Sequence, residues 1–379
     1  MKLHKFALAA ILGVAVIVVS CKHFPPVEEE PLLQGRIEIV EIPSSDSTII
    51  HNALIYLPIG YDRSVYDSFP VIYILHDFDQ DFAYLEDVYS VCEILDRMVS
   101  RGRVPGVILV FVDGSNEFGG SFYTDSDIYG HFETYLEDVR NFVESNYKVM
   151  ADSAFRCLLG VGEMGGYGAL RHFLRHPHDY GTVAAHSPII DPLDYATENL
   201  LNRALGENGG RLPNPPDLSE GKPATRMLFA LAAAFTPKSA PLDSFDLAYE
   251  FPIQPADSDS SVWFGVRLPF DTLGNPIGGE IAETWSQNSI LAVASESMDS
   301  IWDTAAVWLD VGCDEPQLQP KIETFVDSLE AHGVKPVFEI YSGDPAYPDS
   351  IVPSTVRTRL FSRIGRSLEY LIYTMWLRL

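Results

Sequence analysis

The segment that most constrains the fold runs from Arg156 to Leu170, where an apolar run meets a glycine-rich turn and then a helical stretch. The run Arg156–Val161 has the length and apolar character of a buried strand. The turn that follows reads Gly-Val-Gly-Glu-Met-Gly-Gly from Gly160 to Gly166. Because glycine has no Cβ, such a turn lets a strand and the following helix pack closely. The segment therefore predicts a buried strand, a tight turn and a helix in direct succession.

Short apolar runs recur along the chain and alternate with helical stripes. The runs that predict buried parallel strands are Val71–Leu75, Val107–Val112, Arg156–Val161, Thr182–Ala185, Ala306–Val311 and Val337–Tyr341. Apolar residues repeat at helical spacing in the stretches 132–143 and 322–329. Two alternating runs, Arg36–Ile42 and Thr48–Leu57, predict an antiparallel edge. The alternation predicts an α/β protein with a mostly parallel, doubly wound sheet and helices on both faces.

Several short motifs occur in the order found in one known family. They are Phe69–His76, Val112–Asn116 with Gly119–Tyr123, Met164–Leu170, Val183–Pro188 and Asp310–Asp314. From about Arg36 to about Gly343, the chain resembles the esterase family of the α/β-hydrolases that includes S-formylglutathione hydrolase and feruloyl esterase. The resemblance implies an α/β-hydrolase fold, ester hydrolysis by a Ser-His-Asp triad and no cofactor.

The chain lacks the serine that this resemblance requires at the turn. The matching position is Glu163, or Gly162 if one additional residue is placed differently. The family's oxyanion region corresponds to Asp77 and Met164, and a carboxylate at Asp77 replaces the family's glycine. Negative charge near an oxyanion raises the barrier that this region normally lowers. The residues at the turn therefore argue against serine-esterase chemistry.

The other two triad positions give the same result. Asp344 stands where the family has its catalytic histidine, and no histidine follows His332. Asp314 matches the family's catalytic aspartate, but an acid without its nucleophile and base orients nothing. The sequence predicts an esterase-like protein that has lost serine hydrolase activity. The alternative is an active carboxylic-ester hydrolase, of acyl-glycan or feruloyl type, that uses another nucleophile such as Ser121 or Ser187.

Three carboxylates are expected to converge at the old triad: Glu163, Asp314 and Asp344. Like charges at short distance require that one group be protonated or that a cation lie among them. Carboxylate oxygens suit calcium or magnesium, so a divalent cation here is a hypothesis, and we expect no other cofactor. The run Asp77-x-Asp79-x-Asp81 lacks the glycine and glutamate of a calcium loop and therefore predicts a solvated loop.

The N-terminal residues 1–20 predict a secretory signal, because a basic start precedes the apolar run Phe6–Val19. The small residue directly before Cys21 resembles a bacterial lipobox, which would make Cys21 the acylated first residue of a lipoprotein. An ordinary cleaved signal or an uncleaved anchor is the alternative. We expect a tether over residues 21–34, an α/β-hydrolase-like domain over 35–379, and anchoring to the lipid bilayer on the periplasmic or surface side of a bacterial envelope.

The formal net charge of −27 limits the partners of the chain. A surface this acidic, with no Lys/Arg cluster, excludes nucleic acid and anionic lipid headgroups as binding partners. Because the resembled family contains enzymes that remove acyl groups from plant polysaccharides, a glycan is the favoured ligand. Envelope proteins are the other class of partner that we expect.

The regular alternation breaks between about residues 191 and 300, where Pro-, Gly- and Asp-rich sequence surrounds the apolar helix Ala224–Phe235. An insertion of this length predicts a cap-like element over the site. Its aromatic side chains could line a ligand pocket or instead hold the insertion onto the sheet. These residues are Phe251, Trp263, Phe264, Phe270 and Trp285.

The remaining cysteines and histidines predict no further chemistry. We expect Cys92, Cys157 and Cys313 to be buried free thiols, because an odd count gives no complete disulfide framework. His76 and His186 follow strand ends, and His76 matches a structural histidine of the resembled family. The helical histidines are expected to be surface or capping residues without metal-like spacing. They are His131, His172, His176 and His178.

Overall fold

The described residues of this computed structural model are 33–45, 49–63, 68–238, 248–253, 262–301, 305–313, 315–341 and 356–378. Their strands are β1 Arg36–Pro43, β2 Ile50–Leu57, β3 Val71–Leu75, β4 Ile108–Val112, β5 Asp125–Ser126, β6 Gly130–His131, β7 Arg156–Val161, β8 Thr182–His186, β9 Pro237–Lys238, β10 Ala248–Ile253, β11 Val262–Arg267, β12 Ala306–Gly312 and β13 Val337–Tyr341. Every strand predicted from the sequence is present.

The helices of the described residues alternate with the main strands. They are α1 Tyr84–Tyr89, α2 Val91–Ser100, α3 Phe132–Asn146, α4 Gly162–Arg175, α5 Pro192–Tyr195, α6 Leu201–Glu207, α7 Pro223–Phe235, α8 Glu280–Gln287, α9 Ile290–Ile301, α10 Gln319–Ala331 and α11 Val356–Trp376. A π-helical turn at Ala196–Leu200 joins α5 to α6. Within the described residues, no helix is both long enough and apolar enough to cross a membrane.

The central sheet has the strand order β1-β2-β4-β3-β7-β8-β12-β13. The strands from β4 to β13 pair in parallel, whereas β1 with β2 and β2 with β4 are antiparallel. The central strands β3, β4, β7 and β8 are buried along their whole length, which explains why their sequences are continuous apolar runs. The predicted doubly wound α/β fold is confirmed.

Successive side chains of each central strand point to opposite faces of the sheet. In β3, Tyr73 and Leu75 join the core on the face covered by α3, α4 and α10. Ile72 and Ile74 join a second core under α2 and α11. Apolar contact on both faces therefore fixes the register of the strand, because a slip of one residue would exchange the two sets.

The segment after β8 departs from the alternating pattern, as the sequence predicted. It contains α5 to α9 and a small sheet in the order β10-β11-β9. Phe270 and Trp285 are buried in the same core as α3 and α4, so these two aromatic rings hold the insertion onto the domain. The side chains of Phe251, Trp263 and Phe264 lie outside the described part.

Two predictions about single side chains are wrong. Cys92 and Cys157 are buried as expected, but Cys313 is exposed because it lies in the turn directly after β12. His172 is not a surface or capping residue, since only 1% of it is exposed. It lies on the face of α4 that packs against Tyr180. His178, by contrast, is exposed.

Candidate functional site

The turn between β7 and α4 has the tight strand-to-helix geometry of a nucleophile elbow. β7 ends at Val161 in extended conformation, and α4 begins at Gly162, whose φ is +73°. Residues with a Cβ rarely adopt this conformation, so a glycine holds the strained position of the turn. At Gly165, an added Cβ would overlap the carbonyl oxygen of Leu75. Glycine there lets α4 pack directly against the end of β3.

The structure distinguishes the two candidate nucleophile positions. Gly162 holds the strained backbone, whereas Glu163 lies in the first turn of α4. A Cβ built on Gly162 would overlap the carboxyl group of Asp77. The Asp77 side chain therefore fills the space that the side chain of a nucleophile would need. The elbow keeps its backbone shape but has neither a hydroxyl nor room for one.

The Asp77 carboxyl group accepts hydrogen bonds from backbone N–H groups at the elbow. Met164 N–H donates to Asp77 Oδ1 at 2.9 Å, and the N–H of Phe78 also binds this carboxyl group. In α/β-hydrolases, N–H donors at the start of the elbow helix and in the loop after the first core strand form the oxyanion hole. The two predicted oxyanion residues thus lie together, and the Asp77 carboxyl group accepts from a backbone donor in the first turn of α4.

Asp77 and Glu163 form a pair of interacting carboxyl groups. Burial raises the pKa of Asp77 well above its usual value, and the negative charge of Glu163 raises it further. The two side chains also hydrogen-bond to each other, which requires that one of them carry a proton. Tyr195 Oη donates to Glu163 Oε1 at 3.3 Å. The raised pKa means that Asp77 holds its proton to a higher pH than an exposed aspartate does.

The acid and base positions of the triad, Asp314 and Asp344, lie outside the described residues. The strands that precede them in the sequence, β12 and β13, pair in parallel and end at Gly312 and Tyr341. The hypothesis of a cation among Glu163, Asp314 and Asp344 therefore remains a prediction. In the described part, the groups of potential metal ligands lie elsewhere and do not include Glu163.

The aspartates after β3 point to different partners. Asp79 Oδ1 pairs with Arg226 Nη1 at 2.7 Å. Asp81 Oδ1 accepts hydrogen bonds from the N–H groups of Ala83 and Tyr84, both at 3.0 Å, next to the start of α1. Carboxylates with separate partners do not surround one point, so this loop has no calcium-loop geometry.

His76 is a structural residue beneath the loop. Its Nε2 accepts a hydrogen bond from Gly114 N–H at 2.8 Å, so the proton resides on Nδ1. Nδ1 donates to the Asp77 carbonyl oxygen at 2.8 Å. The ring is 1% exposed and joins the loops that follow β3 and β4. It therefore positions the backbone of Asp77 and has no free nitrogen for a substrate.

His186 belongs to a closed network that the sequence did not reveal. Its Nδ1 lies 2.6 Å from Asp310 Oδ2, and its Nε2 lies 2.9 Å from Ser367 Oγ. Burial opposes ionisation of Asp310, but the charges of His186 and Arg363 lower its pKa to about 2. This is the order of a catalytic triad, yet the serine, histidine and aspartate are each 0% exposed. The network ties α11 to the sheet, and no substrate can reach it.

The two alternative serines are not activated by a histidine within the described structure. Ser121 is 0% exposed, and its Oγ accepts from Tyr123 N–H at 3.2 Å. Ser187 Oγ donates to Glu315 Oε2 at 2.5 Å and accepts from Arg363 Nη2 at 2.7 Å. A serine nucleophile needs a base within hydrogen-bond reach. Ser121 has no base among its contacts in the described structure, and the base within reach of Ser187 is the Glu315 carboxylate, which Ser187 shares with Arg363.

A polar cleft of about 390 Å³ opens beside the elbow. Asn116 Oδ1 accepts hydrogen bonds from the N–H groups of Phe118 and Gly120, so its NH₂ group points the other way. Asn116 Nδ2 and Arg226 Nε are buried and have no hydrogen-bond partner in the described structure. The cleft is lined by Asp79, Gln80, Ser115, Asn116, Gly119, Glu220 and Arg226.

The strand order and the elbow between β7 and α4 define an α/β-hydrolase. The sequence profile of the family described as "Putative esterase" matches residues 50–332, and the chain belongs to this family. Esterases of this kind need no cofactor.

Solved structures with the same fold are similar over nearly the whole chain. A ferulic acid esterase has 17% identity and a TM-score of 0.57, covering 90% of this chain and 99% of its own. The substrate-bound fluorophosphonate-binding serine hydrolase F of Staphylococcus aureus has 11% identity and a TM-score of 0.56, covering 89% and 99%. An S-formylglutathione hydrolase from Agrobacterium tumefaciens has 13% identity and a TM-score of 0.53, covering 92% and 99%. At these identities, the likeness establishes the fold.

Proposed function

We propose that this protein is a binding or assembly component of a bacterial cell envelope, built on an esterase fold that no longer performs serine-dependent ester hydrolysis. The observation that carries the proposal is the overlap of the Gly162 side-chain position with the Asp77 carboxyl group. Covalent acyl transfer needs a nucleophile at this point and an empty oxyanion hole. Here Gly162 stands at the nucleophile position, and the Asp77 carboxyl group lies where the oxyanion hole would be.

The cleft beside the elbow supports a polar ligand. Its lining includes the side chains of Asn116, Arg226 and Ser115. Amide, guanidinium and hydroxyl groups are suited to a ligand rich in hydroxyl groups. The chain resembles feruloyl esterases, whose family acts on acylated polysaccharides. We therefore propose a glycan or an acylated glycan as the ligand.

The anchor is a separate part of the proposal. Cys21 lies outside the described residues, and its proposed acylation rests on the signal-like residues before it. Cells that express the protein should incorporate a radiolabelled fatty acid into the wild-type chain and not into Cys21→Ala. Equal incorporation in both would reject Cys21 as the site. Absence of label in both would indicate an ordinary cleaved signal or an uncleaved anchor.

The loss of serine chemistry is tested by fluorophosphonate labelling of the purified protein, beside turnover of short-chain p-nitrophenyl esters. An active member of the same family serves as the positive control. We expect no label and no turnover, because no hydroxyl group stands at the elbow. Stoichiometric labelling mapped to a serine, together with turnover, would contradict the proposal.

The competing proposal is an active ester hydrolase that uses Ser121 or Ser187. One observation favours Ser187: its φ of +50° is a strained conformation for a residue with a Cβ. If labelling occurs, Ser187→Ala and Ser121→Ala should be compared. Loss of label and turnover in one variant alone would identify that serine as the nucleophile and establish the alternative.

A further inference from the structure

A second group of reactive side chains lies between α3 and α4, away from the elbow. This α3–α4 cluster contains Glu133, His172 and His176, with one ligand atom of each within 4.8 Å of the others. The two histidines are four residues apart and therefore share one face of α4. The helical rise of 1.5 Å per residue places His172 about 15 Å along the axis from Gly162. The cluster is therefore distinct from the elbow.

His172 is buried without the partners that an imidazole needs. It is 1% exposed, and within the described structure neither ring nitrogen has a hydrogen-bond partner. Its ring stacks on His176 with centroids 4.2 Å apart and meets Tyr180 edge to face. A neutral imidazole has a lone pair on one ring nitrogen, and nothing in the described structure satisfies it here. Such unsatisfied groups are rare and call for an unseen partner.

His176 lies between two carboxylates. Its Nδ1 is 3.0 Å from Glu137 Oε1, and its Nε2 is 3.1 Å from Glu133 Oε1. A neutral imidazole carries one N–H and can donate to only one of them. When Nδ1–H donates to Glu137, the lone pair on Nε2 faces an oxygen lone pair of Glu133. That contact is favourable only if a proton or a metal ion lies there.

We propose that Glu133, His172 and His176 bind a first-row divalent metal ion, with Zn²⁺ as the expected occupant. Two imidazole nitrogens and one carboxylate are a known zinc ligand set, in which water takes the fourth position. Zinc bonds of roughly 2.0–2.1 Å place neighbouring tetrahedral ligands about 3.3 Å apart. The 3.1 Å between His176 Nε2 and Glu133 Oε1 is near that value, whereas the stacked rings of His172 and His176 must turn so that a nitrogen of each points to the same ion.

The surroundings contain the outer groups that metal-binding histidines usually have. Glu137 Oε1 lies 3.0 Å from His176 Nδ1, and a hydrogen bond from Nδ1–H to it would fix the tautomer that presents Nε2 to the ion. Arg171 donates to Glu133 Oε2 at 2.5 Å and Arg175 donates to Oε1 at 2.8 Å, so both orient the ligand carboxylate. Their positive charges also oppose a cation. We therefore expect weaker binding than at a zinc site with four protein ligands.

Calorimetric titration of the metal-free purified protein with zinc chloride tests the proposal. We expect one equivalent of Zn²⁺ to bind and the melting temperature to rise. His172→Phe keeps an aromatic ring in the stack but has no nitrogen ligand, and should bind at least about 100-fold more weakly. His178→Ala removes an exposed histidine near the end of the same helix and should keep wild-type affinity.

The role of Glu137 gives a second readout. Glu137→Gln retains a hydrogen-bond acceptor and should weaken zinc binding by about 10–100-fold. Absence of zinc uptake by the wild-type protein, or equal uptake by His172→Phe, would overturn the proposal. Neither result bears on ester hydrolysis, since the cluster lies away from the elbow.

Discussion

Replacing Gly162 by alanine tests whether Asp77 occupies the space of a nucleophile. An alanine at a left-handed position costs about 1–2 kcal/mol, because its Cβ approaches the backbone. The new methyl group must also displace the Asp77 carboxyl group, which accepts from Met164 N–H. Leaving that buried donor unpaired costs about 1–3 kcal/mol. Gly162→Ala should therefore lower the free energy of unfolding by about 2–5 kcal/mol.

The same substitution should cost less when Asp77 is absent. In Asp77→Gly, the side chain that the methyl group would strike has been removed, and only the backbone cost of about 1–2 kcal/mol remains. The double variant should thus be more stable than the sum of the single effects predicts. The expected coupling energy is about 1–3 kcal/mol. The sign of this coupling energy follows from the overlap between the new methyl group and the Asp77 side chain.

Urea unfolding of the wild type, both single variants and the double variant gives this coupling, provided that the denaturant slopes agree. Asp81→Gly is the matched control, because Asp81 lies in the same loop and binds the N–H groups of Ala83 and Tyr84 instead. Gly162→Ala and Asp81→Gly should be additive within about 0.5 kcal/mol. Additivity of the Gly162 and Asp77 variants would refute the arrangement that we describe at the elbow.

Three further predictions follow from the structure. Burial and the charge of Glu163 raise the pKa of Asp77, so this group stabilises the fold below its unfolded pKa and loses that contribution as pH rises through the folded pKa. Asp77→Asn should remove this dependence on pH. The amount by which its melting temperature exceeds that of the wild type should therefore grow as pH rises. A constant difference in melting temperature from pH 4 to pH 9 would contradict this prediction. Ser367→Ala leaves the buried Nε2 of His186 unpaired and should lower the free energy of unfolding in urea by about 1–3 kcal/mol. A decrease of less than about 0.5 kcal/mol would show that this hydrogen bond does not stabilise the fold. Gly165→Ala should lower the stability of the protein by about 1–3 kcal/mol, because the new methyl group overlaps the backbone of β3. Gly206→Ala is the control in the same thermal melts: its methyl group meets nothing within 4 Å, so the variant should be as stable as the wild type or more stable.

The fold could be predicted closely because its signals are local. Each parallel strand is a continuous apolar run bounded by polar sequence, and period-two burial on both faces leaves little freedom of register. In the sequence, the insertion after β8 was visible only because the regular alternation of strands and helices stops there. Its three short strands pair with one another, and such pairing depends on contacts that no single run encodes.

The candidate site could be predicted only in part. Sequence spacing left Glu163 and Gly162 as equal candidates, because one additional residue can be placed on either side of the turn. Backbone conformation separates them, since Gly162 has φ +73°. The pairing of His172 with Glu133 was missed, although a four-residue spacing of histidines on a helix was a readable signal. Their shared cluster also requires that α3 lie beside α4, which only the fold provides.

The residues at the elbow depend on one another for space and for hydrogen bonds. Without the Asp77 side chain, the elbow would have a small void and an unpaired Met164 N–H, and unpaired buried donors cost stability. The Asp77 carboxyl group occupies that space, accepts from Met164 N–H and interacts with the Glu163 carboxyl group. Tyr195 adds a donor to Glu163. Because the Asp77 carboxyl group occupies the space beside Gly162, placing a serine at Gly162 alone should not create a working nucleophile.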